Sequence, residues 1–586
     1  MKRENLYRFV RRSCRRILNT GSQLVTDIDL RMPRRLVLSR CLPPEPFVTE
    51  NTDITDLMKH RFTILGRTLT FDKEIEWDAD FKGGMWPILG QGDYSSFFDN
   101  DYSLPVYKEH GDVKRVWDFN KHIHFVDLAT QYFRTRNRAI DAEMCFQLKG
   151  WIEKHPYPRG MGWYPPLIVA QRAISWIIAW NLGCLSALHD VLAKSLFIHG
   201  YDLRRRLEIS SDGVNSNHLI GNLAALYLIG CTLTLEKWRD YALDLLLAES
   251  EKQILPDGVD YEQSSSYHRY VLEFLSLVWL ANDRGPSKLT EKIRSMIVFL
   301  NHITLPGHSL PLLSDQDGAR VWVHDIYRPA ELFSLMSTPA PTSRAFPDSG
   351  YYVMRYDDHV LVFDCGSIGM QGKRLSTHGH SDLLSFTLSL FGKPFIIDIG
   401  SGTYTESKEI HDYFRSTRGH NTLSVDGLDQ CGLSRTWTFL RHPSYRVLEW
   451  RSSAIEDSVC GEHDGFSPLI HRRRIAFSKM GEPQVRILDH ILGSGIHDAV
   501  SRLHLHPSVR VESVDERKVA LGFKNVGLEI QVLGESRLPA LTVGRGMYSP
   551  DYGQIEETNV IELDLKGECP LTIELVLRGS LSLGRE

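Results

Sequence analysis

STHGHSDLLSFTLSLFGKPFIIDIGSGTY, residues 376–404, is followed after a short link by YFRSTRGHNTLSVDGLDQ, residues 413–430. Leu384, Phe386, Leu388 and Leu390 alternate with polar residues, the pattern of a strand half buried against a core. FGKP then reads as a turn, and PFIIDIG as a second strand with Asp398 near its end. His378, His380, Asp398 and His420 stand among these runs. Strands are stiff enough to hold side chains with the precision that a metal or a reacting proton needs. A single histidine here would read most simply as a hydrogen-bonded, inert strand-end residue. An HxH, an aspartate and a further histidine in one stretch point instead to a metal site beside a catalytic histidine.

The same period of two runs outward through GYYVMRY, HVLVFDCG, YRVLEW, RRRIAFSK, QVRILDHI, GLEIQVLG and LTIELVLRG. Many short strands separated by turns predict a large antiparallel β-sandwich. Upstream the period changes. From about residue 113, segments such as VWDFNKHIHFVDLATQYF, LIVAQRAISWIIAWN, NHLIGNLAALYLIG and SSSYHRYVLEFLSLVWLAN carry apolar residues at helical spacing, with short Gly, Pro or Asn breaks between many of them. Eight or more such helices in succession predict a helical bundle or an α/α toroid. The switch falls in the Pro-, Ser- and Thr-rich stretch 339–349. It divides the chain into an irregular lead-in over 1–80, with RFTILGRTLTF as a hairpin, a helical domain over 81–337 and a β-domain over 338–586.

At 586 residues the chain is too long for one core. Its net charge of −5, with no dominant basic stripe, gives no reason to expect a nucleic-acid partner. Nine cysteines without CxxC or regular spacing argue against a disulfide framework and against a thiolate zinc site. They read as buried thiols. No transmembrane segment is expected, because the most apolar run, LIVAQRAISWIIAWNLGCLSAL, contains Arg172 and reads as a buried helix. The Arg-rich opening MKRENLYRFVRRSCRRIL lacks the apolar run of a secretory signal and reads as a solvated basic helix.

Two places in the helical half carry clustered polar residues. NSNHLIGN places Asn215, Asn217, His218 and Asn222 where a helix begins, and PDGVDYEQSSSYHRY contains Asp260, Glu262, Tyr267, His268 and Arg269. Each suits a cleft at one end of a bundle, and each equally suits an ordinary helix start, since Asn and Ser are good caps. Asn120, Lys121 and Arg159, together with Trp163 and Arg172, could add contacts to a carbohydrate or a carboxylate.

In combination, NSNH, EQSSSYH, HGHSDLLSF, the Asp of IIDIGSGTY and FRSTRGHNTLSVDG resemble, in order, the motifs of the heparinase II/III-like family of polysaccharide lyases. The resemblance implies an N-terminal (α/α) toroid followed by a C-terminal antiparallel β-sandwich, and an acidic, uronate-containing polysaccharide as substrate. It implies that Asn217 neutralises the uronate carboxylate with His218 beside it, and that Tyr267 and His378 are catalytic. His380, Asp398 and His420 match the ligands of a structural zinc, an ion that two imidazoles and a carboxylate suit. Asn120, Lys121, Arg159, Glu262, Arg269 and Arg415 are the candidate substrate contacts.

These residue types fit β-elimination, in which a base removes the proton at carbon 5 and an acid protonates the departing oxygen at carbon 4. The carbon proton is feebly acidic until the carboxylate is neutralised, so donors placed at that carboxylate stabilise the developing charge. Tyrosine is a poor base at its ordinary pKa of about 10, and the sequence leaves open which of Tyr267 and His378 is the base. Two other classes fit less well: a zinc hydrolase with an open water position, and a catalytically silent carbohydrate-binding protein of polysaccharide assembly or export. The resemblance implies the cell envelope or periplasm, whereas the lack of a recognisable signal leaves a cytoplasmic location as the alternative. The polymer and the oligomeric state are not encoded in any motif.

Overall fold

The computed structural model describes residues 36–48, 52–88, 105–283, 285–370, 378–534 and 538–581. The basic opening segment lies outside them. The chain forms two compact units. One comprises Met1–Glu251, Tyr270–Glu291 and Arg320–His324; the other comprises Lys252–Arg269, Lys292–Ala319 and Asp325–Glu586.

Helices dominate the first unit, after a small hairpin of β1 (Arg61–Ile64) and β2 (Arg67–Thr70). The main helices are α1 (Val113–Asn120), α2 (His124–Thr135), α3 (Arg138–Lys154), α4 (Pro166–Asn181), α5 (His189–Arg205), α6 (Asn217–Thr232) and α7 (Glu236–Gln253). The long helix expected over VWDFNKHIHFVDLATQYF is two helices, because His122 adopts φ +55° and breaks the run between α1 and α2. Local chemistry starts several of them: Asp112 caps α1, Asn137 caps α3 and Ser216 caps α6, each accepting from a backbone N–H of the first turn. Helix α4, the apolar run with Arg172, is buried on nearly every face. The Arg172 guanidinium lies 3.9 Å from the Trp151 ring, and its Nε donates to His199 Nε2 at 3.1 Å. No single helix among the described residues is long and apolar enough to cross a membrane.

Two further helices, α8 (Ser265–Ala281) and α9 (Ser287–Ile303), contribute residues to both units. In the second unit, strands follow from Arg344 onward. They are β3 (Arg344–Phe346), β4 (Tyr351–Tyr356), β5 (His359–Asp364), β6 (Phe386–Leu390), β7 (Lys393–Ile396), β8 (Leu423–Val425), β9 (Tyr445–Ser452), β10 (Glu456–Phe466), β11 (Leu469–Ser478), β12 (Gln484–Leu492), β13 (Ile496–His504), β14 (Arg510–Val514), β15 (Lys518–Phe523), β16 (Val526–Leu533), β17 (Ala540–Tyr548), β18 (Glu556–Glu568) and β19 (Leu571–Leu581). Among the described residues the sheets are antiparallel: five strands in the order β3-β4-β5-β6-β7, four in the order β17-β18-β13-β8, and eight in the order β14-β15-β16-β19-β12-β11-β10-β9. The strands that position the site are β6, β7, β8, β11, β12 and β13. Strands β6 and β7 form the expected hairpin across Phe391 and Gly392, both with positive φ, as a two-residue turn matched to strand twist requires. Inward residues of the three sheets share one core, including Leu388, Leu423, Ile475, Ile487, Leu503 and Leu575. The fold class is the expected one, helices first and antiparallel sheets after.

All eight cysteines among the described residues are free thiols, five of them buried. A buried polar network crosses the eight-stranded sheet: Arg473 Nε donates to Asp489 at 2.7 Å, and His471 Nε2 lies 2.8 Å from the same carboxylate. Arg473 also donates to the carbonyls of Leu384 and Asn421 at 2.8 and 2.6 Å, which ties the sheet to the backbone shortly after His380 and directly after His420.

Leu503 is fully buried in this core, so Leu503→Ala is expected to cost about 2–5 kcal/mol and to lower the thermal unfolding midpoint. Met480, exposed at 64 %, provides the contrast: Met480→Ser is expected to stay within about 0.5 kcal/mol of the parent. Equal midpoints for the two variants would contradict the core assignment.

Candidate functional site

Tyr267 sits in the first turn of α8, and the serines before it explain its placement. Ser264 Oγ accepts from the Tyr267 N–H at 3.2 Å, a capping bond, and donates to the Asp315 carbonyl at 2.7 Å. Ser265 Oγ donates to the Pro311 carbonyl and accepts from the Leu313 N–H, at 2.7 and 3.2 Å. The serine run therefore stitches the segment 311–317 to the helix start. That segment, PLLSDQD, delivers two carboxylates to the site. Asp317 Oδ2 accepts the Tyr267 hydroxyl proton in a short hydrogen bond, and Asp315 faces His378.

His378 and His380 lie in a turn, not in a strand. His378 has φ +72°, and Gly379 passes so close to Gly369 that a Cβ there would lie 2.2 Å from its backbone nitrogen. The turn aims both rings at one carboxylate. His378 Nδ1 is 3.0 Å from Asp315 Oδ2, and His380 Nε2 is 3.0 Å from Asp315 Oδ1. With Asp315 ionised, both imidazoles donate to it. This leaves the His378 Nε2 and His380 Nδ1 lone pairs available.

The Tyr267 and His378 rings stack with centroids 3.5 Å apart and planes inclined by 20°. Both are buried, at 5 % and 7 % exposure. Glu262 is also buried, its Oε2 3.8 Å from His378 Nε2. Burial pushes the Tyr267 phenol well above its ordinary range, and the charges of Asp317 and Asp315 and the hydrogen bond to Asp317 add to that, against a small opposing effect of the Tyr404 hydroxyl. Burial alone would raise the Asp315 carboxyl, but the hydrogen bonds and charges of His378 and His380 outweigh it and hold the acid well below the usual carboxylate range.

His380, Asp398 and His420 converge within the β-rich unit, their ligand atoms all within 4.8 Å of one another and all three side chains buried. Asp398 lies just past the end of β7, and His420 shortly before β8. His420 Nδ1 is 3.1 Å from Asp398 Oδ2. His380 Nδ1 and His420 Nε2 are buried without a well-formed hydrogen bond. Two inward nitrogens of this kind beside a carboxylate fit a metal ion. Asp315 then completes a carboxylate–histidine–metal arrangement through His380.

The other anticipated residues are distributed as follows. Glu262 joins Tyr267 and His378. Arg269 is buried and donates to the Ala319 carbonyl. Arg415 is buried beneath the loop 435–439, donating to the Arg435 carbonyl at 3.0 Å. In the first unit, Asn217 is the first residue of α6 and is fully buried. His218 Nδ1 is 2.8 Å from Glu208, a residue that also accepts from Asn222 and from the Leu167 N–H. Asn120 is buried, donating to the Trp77 and Val116 carbonyls and accepting from Trp151 Nε1. Lys121 pairs with Asp118 at 2.6 Å, and Arg159 is exposed. Sequence reasoning passed over Asp315, Asp317 and Glu208. The available signal for the first two was a pair of acids two residues apart in a stretch with neither helical nor strand period.

The profile described as "Heparinase II/III N-terminus" matches residues 47–336, and "Heparinase II/III-like, C-terminal" matches 338–580. A heparin-sulfate lyase of Pedobacter heparinus is 20 % identical over 484 residues, covering 76 % of this chain and 65 % of that protein. The match thus spans under two thirds of that relative's length. A crystal structure of heparinase III superposes with a TM-score of 0.68 at 17 % identity, over 95 % of this chain and 89 % of the other. A mutant heparan sulfate lyase from Pedobacter heparinus gives 0.61 at 17 % identity, over 92 % and 86 %.

Purified protein is expected to carry metal that His420→Ala or Asp398→Ala abolishes and that Asp315→Asn binds about 10–100-fold more weakly. Elemental analysis and chelator competition read both. Unchanged metal content in the His420 and Asp398 variants would remove the ligand assignment.

Proposed function

The chain belongs to the heparinase II/III-like family, and on that footing we propose that it is a lyase cleaving a uronate-containing polysaccharide by β-elimination. The observation that carries the reading is the stacked Tyr267–His378 pair, each member held by its own carboxylate two residues from the other. His378, with Nδ1–H directed to Asp315, keeps the Nε2 lone pair free to take the proton from carbon 5. Asp315 fixes the tautomer and stabilises the imidazolium that forms, the role a buried carboxylate plays behind any catalytic histidine. Tyr267, held as a neutral phenol by burial and two acids, is the proton donor to the leaving oxygen. These environments support that assignment of base and acid, which residue types alone left open.

A carboxylate-neutralising role for Asn217 and His218 rests on the family resemblance. A donor of that kind is worth about 10²–10³ in rate. The buried His380, Asp398 and His420 would hold a zinc ion, whose donor set suits it. The ion would supply a fixed charge that locks the turn presenting His378, while the elimination itself is carried by side chains. The substrate class follows the relatives, which are heparin-sulfate lyases: an acidic glycan containing glucuronate, iduronate or a related uronate.

A screen of uronate polymers, followed by the ultraviolet absorbance of the new carbon–carbon double bond, tests the activity. The expected outcome is an absorbance rise on at least one polymer, lost by at least about 10²-fold in Tyr267→Phe and in His378→Ala. Full activity in both variants would overturn the site; saturated reducing ends without absorbance would indicate hydrolysis, and binding without any product a silent binding protein.

The proton-donor role has its own test. Activity that requires a protonated phenol falls as pH rises through the phenol's pKa. Asp317→Asn removes a charge that raises that pKa, so the falling alkaline limb of kcat/KM is expected to move to lower pH. A limb that stays in place would exclude Tyr267 as the acid.

A further inference from the structure

Trp437 belongs to none of the motifs considered above, yet its ring borders the site. It stands edge-on to His378, with centroids 5.4 Å apart at 64°, and to Tyr404, at 4.6 Å and 71°. His378 in turn lies nearly parallel to Tyr267. The indole is therefore a wall set steeply against the stacked pair. Unlike the buried Trp77, Trp151, Trp176 and Trp322, it is partly exposed.

The loop that carries it is anchored on both sides of the indole. His411 Nε2 reaches the Thr436 carbonyl at 3.2 Å, and Arg415 donates to the carbonyls of Arg435 and Thr438 at 3.0 and 3.5 Å. The Arg415 guanidinium also lies 4.5 Å from the Phe439 ring. His411 and Arg415 are one turn apart on α10 (Lys408–Arg415), and both are buried. Burying a guanidinium is costly unless its hydrogen bonds are made. Here they are made to the backbone of a surface loop, and the result is an aromatic ring held rigidly at the edge of the site. A rigid, half-wet indole matches a pyranose ring, whose C–H face is apolar and whose rim of hydroxyls stays hydrated. It would position the substrate without reacting.

We infer that Trp437 is the stacking platform for a sugar ring flanking the bond to be broken, with Arg415 and His411 as positioning residues beneath it. The inference deepens the lyase reading and rests on it for the location of the reacting bond. Binding is measured separately from turnover, in the Tyr267→Phe background, with oligosaccharides of heparan sulfate and of alginate as probes. Titration calorimetry and intrinsic tryptophan fluorescence are the readouts.

The expected result is that Trp437→Ala weakens binding of at least one probe by about tenfold, that Trp437→Phe weakens it less, and that both abolish most of the fluorescence change on binding. In the otherwise unaltered enzyme, Trp437→Ala is expected to raise KM more than it lowers kcat, with the pH profile unmoved. Equal affinity of parent and Trp437→Ala would overturn the inference, as would failure of both probes to bind. Binding that depends on Trp437 without an ultraviolet product would leave the platform standing and overturn the lyase reading instead.

Discussion

Both oxygens of one buried carboxylate, Asp315, are spoken for. One holds the ring stacked on Tyr267, and the other holds a histidine of the candidate metal cluster. A buried charge is tolerated only when it is paired and fully hydrogen-bonded, and here two imidazoles do the pairing. The consequence is mechanical as well as electrostatic. The tautomers of His378 and His380 are set together, and a change at the cluster is felt at the ring 3.5 Å from Tyr267. The turn that makes this possible needs His378 at positive φ and a glycine between the two histidines, where a side chain would collide with the neighbouring backbone.

The surroundings of that carboxylate hold it in place from two directions. The serines at the start of α8 bind the segment that carries Asp315 and Asp317. The Arg473–Asp489–His471 network grips the carbonyls of Leu384, just after His380, and Asn421, next to His420. Asn421 in turn donates to the Phe386 and Ile397 carbonyls and accepts from the His504 N–H. The histidines are thus carried on irregular backbone that is as tightly bonded as a strand. Rigidity comes here from side-chain hydrogen bonds and not from the ladder, which is why a site built largely off the strands can still be well ordered.

Much of this was legible in the residues, and the exceptions share a cause. The change of hydrophobic period near residue 340, the β6–β7 hairpin and the buried α4 all follow from local pattern. The stretch holding His378, His380, Asp398 and His420 was legible as a cluster because four chemistry-bearing residues crowd one segment. The split of α1 from α2 at His122 was not, since a single left-handed residue leaves the apolar spacing intact. Asp315 and Asp317 were not, because a loop acid carries no periodic signal and its meaning lies in a partner some sixty positions away. Arg415 was singled out from its company as a candidate substrate contact, while its bonds to the Trp437 loop depend on carbonyls that composition does not reveal.

By itself, then, the sequence determined the succession of helices and antiparallel strands, the family, and a set of candidate groups for chemistry. These depend on local periodicity and on motifs within short windows, where side-chain spacing translates directly into a face or a turn. Tertiary structure alone decided which carboxylate pairs with Tyr267 and which with His378. Proton affinity depends on burial and on neighbours brought in from distant segments, as Asp317 is brought to Tyr267 and two histidines to Asp315, and no local pattern carries that information.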